Sequence, residues 1–289
     1  MVNNKIQEFV TFPKTFENYK WYKPILVMIL TLIMLGIFGS ILMLVFSGLY
    51  GWDFVLSLSR RSYEAMNTEV GQIFMDFGVI LLIPSLYVAS KIVKDRPFSS
   101  YSSSRGGFNY RLYFKALVIP LIMYIIFEAL AIKNPNGINH FTVPFLILCL
   151  ILVPLQCIAE EYIFRGLLFQ TFGSWFNIPV LALIIQAIIF TVTHGYNSIG
   201  LIEVFVSGLF LGFMTLKTNG IEVSSAWHTV NNLISALMAM FGLEMTTSSP
   251  TLGSVAPFVA FQVILFVVMY FVGNKTSWFG EIEDEHSIE

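Results

Sequence analysis

Residues 24–52 read PILVMILTLIMLGIFGSILMLVFSGLYGW, a stretch bounded by Lys23 and Asp53 that carries no charged side chain. A helix crosses the hydrocarbon core of a bilayer with roughly 20 apolar residues, so this run alone is long enough to span. Four more stretches have no Asp, Glu, Lys or Arg: those between Lys133 and Glu160, Arg165 and Glu203, Glu222 and Glu244, and Glu244 and Lys275. Of the 289 residues 56% are apolar and 12% charged, with a mean hydropathy of +0.75. Soluble domains carry about 25% charged residues, and the chain is therefore read as an all-α polytopic transmembrane helix bundle.

Breaker-to-breaker reading places about eight spans, near residues 24–50, 70–90, 112–132, 142–171, 178–197, 199–217, 222–243 and 252–273. They form one integral membrane domain over 1–289 without an internal repeat. Lys94-Asp95-Arg96-Pro97 and the Ser-rich run to Gly107 read as a connection too polar and flexible to cross lipid, and Asn134-Pro135-Asn136-Gly137 as a turn. With the amino terminus inside, eight spans put Lys5, Lys14, Lys20, Lys23, Lys91, Lys94, Arg96, Arg105, Arg111, Lys115, Arg165, Lys217 and Lys275 toward the cytoplasm. Arg60, Arg61 and Lys133 fall outside, so 13 of the 16 cations obey the positive-inside rule, with both termini cytoplasmic. The apolar run after Lys23 is too long for a signal core of about 7 to 15 residues, and the first span is expected to be retained. A plasma membrane of bacterial type fits this chain.

A formal charge of −2 excludes a nucleic-acid binder, which needs a basic face. Cys149 and Cys157, eight residues apart on one helix and hence about 12 Å apart along it, cannot pair. The acidic tail Glu281 to His286 reads as a solvated end, with a membrane-protein partner as the rival reading.

Ionisable residues inside spans cost about 2.5 to 3.5 kcal/mol each by insertion scales, so each asks for a partner or a purpose. Glu160-Glu161-Tyr162-Ile163-Phe164-Arg165-Gly166 interrupts the apolar stretch from Phe141 to Phe172. Glu161 and Arg165, four apart, share a helix face and can pair. Glu160 points about 100° away, a carboxylate left over for general-base chemistry. Phe190-Thr191-Val192-Thr193-His194 and Trp227-His228-Thr229-Val230-Asn231-Asn232 place two of the four histidines, His194 and His228 but not His140 or His286, in spans; His228 and Asn232 share a face. Singly, each histidine reads equally well as polar glue between helices; together with the acids they point to a site. Gly208 and Gly212 read as a small-xxx-small contact. Glu203 is a candidate cavity residue, whereas Asp76 and Glu128 are expected to pair locally or reach an interface.

Glu-Glu-x-x-x-Arg at 160–165, Phe-x-x-x-His at 190–194 and His-x-x-x-Asn at 228–232, in that order on successive apolar helices, resemble the CPBP family. This family comprises CAAX prenyl proteases of the Rce1 type and bacteriocin-processing enzymes, and is also called Abi. The segment Phe205 to Gly212 leading to Asn219-Gly220 is similar to the family pattern too, and the resemblance covers roughly 140–245, the expected catalytic core. It implies an intramembrane endopeptidase acting on a peptide or membrane-protein substrate. Carried over by position, Glu160 would be the general base, His194 would polarise the water, His228 and Asn232 would donate to the oxyanion, and Glu161 with Arg165 would fix the helix.

No cofactor is expected. The alternative is zinc held by Glu160, His194 and His228, a set known from catalytic sites, although no His-Glu-x-x-His helix is present. A nucleophilic Cys157 is a weaker reading, because buried cysteines are usually inert. Two further classes compete: a proton-coupled transporter, which would be expected to show an inverted repeat, and a non-catalytic scaffold, regulator or immunity protein of the same fold. On strictly antiparallel spans Glu160 and His194 would lie on opposite sides of the membrane. The reading therefore requires a long, tilted fourth span, and expects a water-filled cavity entered from the cytoplasmic side.

Overall fold

The computed structural model describes residues 9–59, 68–131, 139–243 and 249–279. Sequence readings on Lys5, Arg60, Arg61, Lys133, the turn at 134–137, Glu244 and the tail from Glu281 fall outside them. The described residues form helices α1 (Lys23–Tyr50), α2 (Trp52–Ser59), α3 (Glu69–Val93), α4 (Tyr110–Leu130), α5 (Val143–Phe176), α6 (Pro179–Val192), α7 (Ser198–Thr218), α8 (Glu222–Met240) and α9 (Leu252–Thr276). Six of them, α1, α3, α4, α5, α7 and α9, are long and apolar enough to cross a membrane. The apolar α6 has 14 residues and the polar α8 has 19; the six candidate spans are close to the eight read from breaker to breaker, and α6 and α8 occupy the places of the fifth and seventh. The protein is an integral membrane protein.

Local chemistry sets the helix ends. The Thr142 side chain accepts from the Phe145 N–H at the start of α5, and Asn197 from Gly200 at the start of α7, each filling one of the orphan donors of a first turn. Asn177 and Asn219 adopt the left-handed conformation (φ 54° and 52°) that ends α5 and α7. Pro179 then opens α6, where a missing N–H costs nothing.

At 34 residues, α5 is about 51 Å long by the helical rise. That exceeds the roughly 30 Å of hydrocarbon, so α5 runs inclined or projects beyond it. Within α5, Tyr162–Phe169 is π-helical, a wider winding often found at functional sites. The extension of α5 to Phe176 resolves the conflict over depth. Glu160 lies sixteen residues before Phe176 and His194 fifteen after Pro179, so in the antiparallel α5–α6 hairpin both stand about 23 Å from the turn. The fifth span is shorter than expected: α6 stops at Val192 rather than running to 197, because Thr193 turns its hydroxyl back onto the Phe190 carbonyl (2.8 Å) and Gly195 follows.

All the described Lys and Arg residues except Arg165 belong to the end of the bundle where α1 and α8 begin and α3, α5 and α7 finish. A strap before α1 closes part of this end: the Phe9 N–H donates to Asn219 Oδ1 (3.2 Å), Lys14 Nζ to Asn177 Oδ1 (2.5 Å) and the Trp175 indole to the Trp21 carbonyl (2.8 Å). The connection at 94–109, read from its composition as flexible, is ordered and partly buried, with Tyr101, Ser102 and Ser103 inaccessible. The Tyr101 hydroxyl donates to Asp95 (3.1 Å) and its ring lies under the Arg96 guanidinium (3.9 Å). The Ile221 N–H donates to the Ser102 carbonyl (2.8 Å) and the Ser104 N–H to the Asn219 carbonyl (3.1 Å). These partners satisfy the backbone where composition suggested only solvent could. Burial pushes the Tyr101 hydroxyl above the ordinary phenolic range, keeping it a donor.

Gly208 and Gly212 of α7 lie against α6, as the small-residue spacing suggested. A Cβ on Gly212 would come within 2.5 Å of Leu183 Cδ1 and 2.6 Å of Gln186 Nε2, whereas one on Gly36 of α1 would meet nothing within 4 Å. Gly212→Ala should therefore destabilise the bundle by about 1–3 kcal/mol through overpacking, and Gly36→Ala should not. Thermal unfolding of the two variants in detergent checks this, and equal midpoints would contradict the close α6–α7 contact.

Candidate active site

The three polar clusters of the sequence converge on one cavity of about 350 Å³, lined by Gln72, Asp76, Gln156, Glu160, His194, Tyr196, Glu203, His228, Asn231 and Asn232, among others. Glu160 comes from α5, His194 from just beyond α6, and His228 and Asn232 from α8, so every residue that the resemblance singled out for catalysis lines it. Glu161 and Arg165 lie beneath, with side chains wholly inaccessible.

Glu161 Oε1 accepts from Arg165 Nη1 at 2.9 Å and meets His228 Nδ1 at the same distance. An ionised carboxylate only accepts, so Nδ1 carries the proton and His228 presents Nε2 to the cavity. Nε2 stands 3.7 Å from Glu160 Oε2. Glu161 is therefore more than the partner of Arg165, since it also fixes the tautomer and direction of a cavity histidine. His194 is set in the same way by a different acceptor, its Nδ1 lying 2.7 Å from the Phe190 carbonyl. A carbonyl also only accepts, so in the neutral ring Nε2 is left as an acceptor.

This geometry explains the phenylalanine of the second motif. The Phe190 ring lies edge-to-face with the rings of His194 (4.6 Å between centroids), His228 (5.9 Å) and Phe164 (4.9 Å). The Arg165 guanidinium sits 4.4 Å from its centroid. Close approach of α7 completes the nest: the Gly208 carbonyl accepts from Arg165 Nη2 (3.3 Å) and Gln186 Nε2 (3.0 Å).

Glu160 is not the unpaired acid that helical spacing alone suggested. Its Oε1 accepts from Gln156 Nε2 at 2.6 Å, while Oε2 is buried without a hydrogen-bond donor. Gln156 in turn accepts from Asn232 Nδ2 (3.3 Å), Asn232 from Asn231 Nδ2 (2.9 Å), and Asn231 from the Tyr124 hydroxyl (2.7 Å). Each amide thus accepts on its oxygen and donates from its nitrogen, and the whole chain of bonds donates toward Glu160. Sequence reasoning missed Gln156 and Tyr124. The signal for Gln156 is present in the sequence, an amide four residues before Glu160 in an apolar run.

Glu203 lines the cavity as anticipated. Asp76 pairs locally as expected, with Gln72 donating to its Oδ1 (3.0 Å), but rather than reaching an interface it faces the cavity from α3. Cys157 is fully buried and donates to Gln156 Oε1 (3.3 Å), while Cys149 is also free and buried. Among the described residues, no group of three or more His, Cys, Asp or Glu side chains converges closely enough to hold a metal ion.

The expectation that the cavity is entered from the lysine-rich side is reversed. Beyond the mid-helix residues of α5, α7, α8 and α9, its lining extends to Gln72 and Asp76 in the first turns of α3, Glu203 in the second turn of α7 and Tyr196 in the linker after α6, all toward the opposite end. Exposure rises in that direction, from His228, 5% exposed, through His194 to Tyr196, 44% exposed. Toward the lysine-rich end, Glu161, Arg165, the π-helical turn and residues 221–229 form a buried layer. The reason is the position of α8, whose first residues are sunk under the 94–109 connection rather than standing in solvent.

No solved structure matches the chain. An uncharacterized protein, YyaK of Bacillus subtilis (strain 168), is 30% identical over 169 residues, covering 53% of this chain and 56% of that one. The chain thus aligns with about half the length of the curated relative it matches. A family model, the type II CAAX prenyl endopeptidase Rce1-like family, matches residues 142–234, which contain all three motifs and run from the start of α5 into α8. This segment of the chain is thus similar to a family of endopeptidases.

Proposed function

We propose that the protein is an intramembrane endopeptidase that hydrolyses peptide bonds with a water activated by Glu160, without a metal. The observation that carries this reading is the pairing at the cavity floor. Glu160 offers an oxygen with no donor bound to it, and two histidines are each locked by a buried acceptor so that Nε2 remains for the cavity. A water between Glu160 and His194 Nε2 has an acceptor on each side, and Glu160 takes its proton as the oxygen attacks the carbonyl carbon. Protonated Glu160 then returns the proton to the departing amine.

The developing oxyanion needs donors. One N–H of Asn232 Nδ2 is directed at Gln156, and the other remains available. His228 donates from Nε2 only when its ring carries both protons. Gln156 holds the base and the amide donor in register. Asp76 and Glu203 take no part in bond breaking in this scheme. The substrate is a peptide or the segment of a membrane protein, and its sequence and any lipid modification are left open by the geometry.

Glu160→Gln should lower kcat by at least about 10²-fold, the scale of a general base, with the unfolding midpoint unchanged. Asn232→Ala should lower kcat by about 10²- to 10³-fold, the scale of one oxyanion donor. Arg165→Ala leaves the buried Glu161 without its cation, with only the His228 hydrogen bond, and should cost about 3–5 kcal/mol of stability. Kinetics and thermal unfolding of the purified variants separate these roles, and a full-speed Glu160→Gln enzyme would overturn the scheme. Cleavage should also survive dialysis against a strong zinc chelator. A loss restored by added zinc would assign Glu160, His194 and His228 to a metal instead.

A further inference from the structure

The position of the cavity within the bundle and the distribution of cations together bear on which side of the membrane the site faces. Of the described Lys and Arg residues, Lys14, Lys20, Lys23, Lys91, Lys94, Arg96, Arg105, Arg111, Lys115, Lys217 and Lys275 all belong to one end of the bundle, and only Arg165 is internal. Among the described residues the other end carries none. Cytoplasmic segments hold the excess of Lys and Arg, so the lysine-rich end faces the cytoplasm.

The cavity opens at the other end. Its outermost lining residue, Tyr196, stands in the Thr193–Asn197 linker, and Gln72 lies in the first turn of α3. The cytoplasmic end is sealed above the catalytic groups by three layers. The innermost is the Glu161–Arg165 pair, with no exposure. The next is the contact of the 94–109 connection with the π-helical turn and α8, where Gly166 leaves no space for a Cβ against the Tyr101 carbonyl and Gln170 Nε2 donates to the Ser100 carbonyl (3.0 Å). The outermost is the strap, with Phe9 and Val10 inaccessible.

We propose that the cavity faces away from the cytoplasm and takes polypeptide segments on the far side of the membrane: exported peptides or the extracytoplasmic ends of membrane proteins. This rests on the hydrolytic reading for the fate of the segment, but not for the facing of the site. A soluble cytoplasmic tail would have to pass the sealed end to reach Glu160, whereas an extracytoplasmic segment enters past Tyr196 directly.

Two measurements test this in intact cells making the full chain. In a Cys149→Ala, Cys157→Ala background, Tyr196→Cys should react with a membrane-impermeant maleimide before the membrane is opened, and Lys20→Cys only afterwards. The reverse pattern would overturn the proposal. New peptide termini present with the otherwise unmodified chain and absent with Glu160→Gln should map to exported proteins or extracytoplasmic segments; termini confined to cytoplasmic segments would overturn it. If Tyr196→Cys labels from outside and no Glu160-dependent termini appear, the facing of the cavity stands and the hydrolytic reading fails.

Discussion

One buried carboxylate, that of Glu161, ties the site together. A charge removed from water costs several kcal/mol unless partners compensate it, and Glu161 has two, Arg165 on the next turn of its own helix and His228 on α8. The first contact neutralises it; the second uses it to fix α8 in register with α5. Glu160 follows in consequence. As the chain neighbour of Glu161 it projects about a quarter-turn away, which brings it beside the imidazole that Glu161 has oriented. The adjacent acids therefore divide the work by direction: one faces the packed interior and holds the histidine, while the other faces the cavity.

The polar groups around this pair are tolerated because most are neutral and mutually satisfied. Tyr124, Asn231, Asn232 and Gln156 pass donors along one line to Glu160, so the amides of α8 lie satisfied among α4, α5 and α7, while the Ser225 hydroxyl of the same helix is buried without a partner. Bonds aligned in this way polarise one another in a low dielectric. The arrangement restricts Glu160 as well, because Gln156 occupies one oxygen and leaves the other, Oε2, on the side of His228.

The number of long helices, the grouping of the three motifs and the Glu161–Arg165 pair were legible in the sequence because each depends on local spacing: the length of an uncharged run, the order of helices, four residues along one helix. What was not legible depends on contacts between elements. That His228 bonds Glu161 rather than standing free requires the depth of α8 relative to α5, and nothing within 222–232 encodes it. The Ser-rich connection read as mobile because its composition suits solvent, yet the same hydroxyls and carbonyls bind Asn219, Gly220 and Ile221. The π-helical turn at 162–169 has no signature in hydropathy; only Gly166, a position without a side chain beside a neighbouring carbonyl, marks it in retrospect.

The error over the mouth of the cavity has one physical source. Counting charges locates the wet ends of helices, and the sequence reading opens the cavity at the lysine-rich end because the helix carrying His228 enters from there. Here the cations close that end instead. Arg96 lies over Tyr101 and 3.7 Å from Asp95, and Arg105 lies 3.7 Å from Glu222 at the first residue of α8. The Asn109 N–H binds the same Glu222 carboxylate (3.0 Å). These contacts draw the polar connection down onto α8 and bury its first turns. Charge at this end thus anchors the loop that lies over the first turns of α8. With that end packed, the space beside Glu160, His194 and His228 extends toward the opposite end, where the short α6 stops at Val192 before filling it.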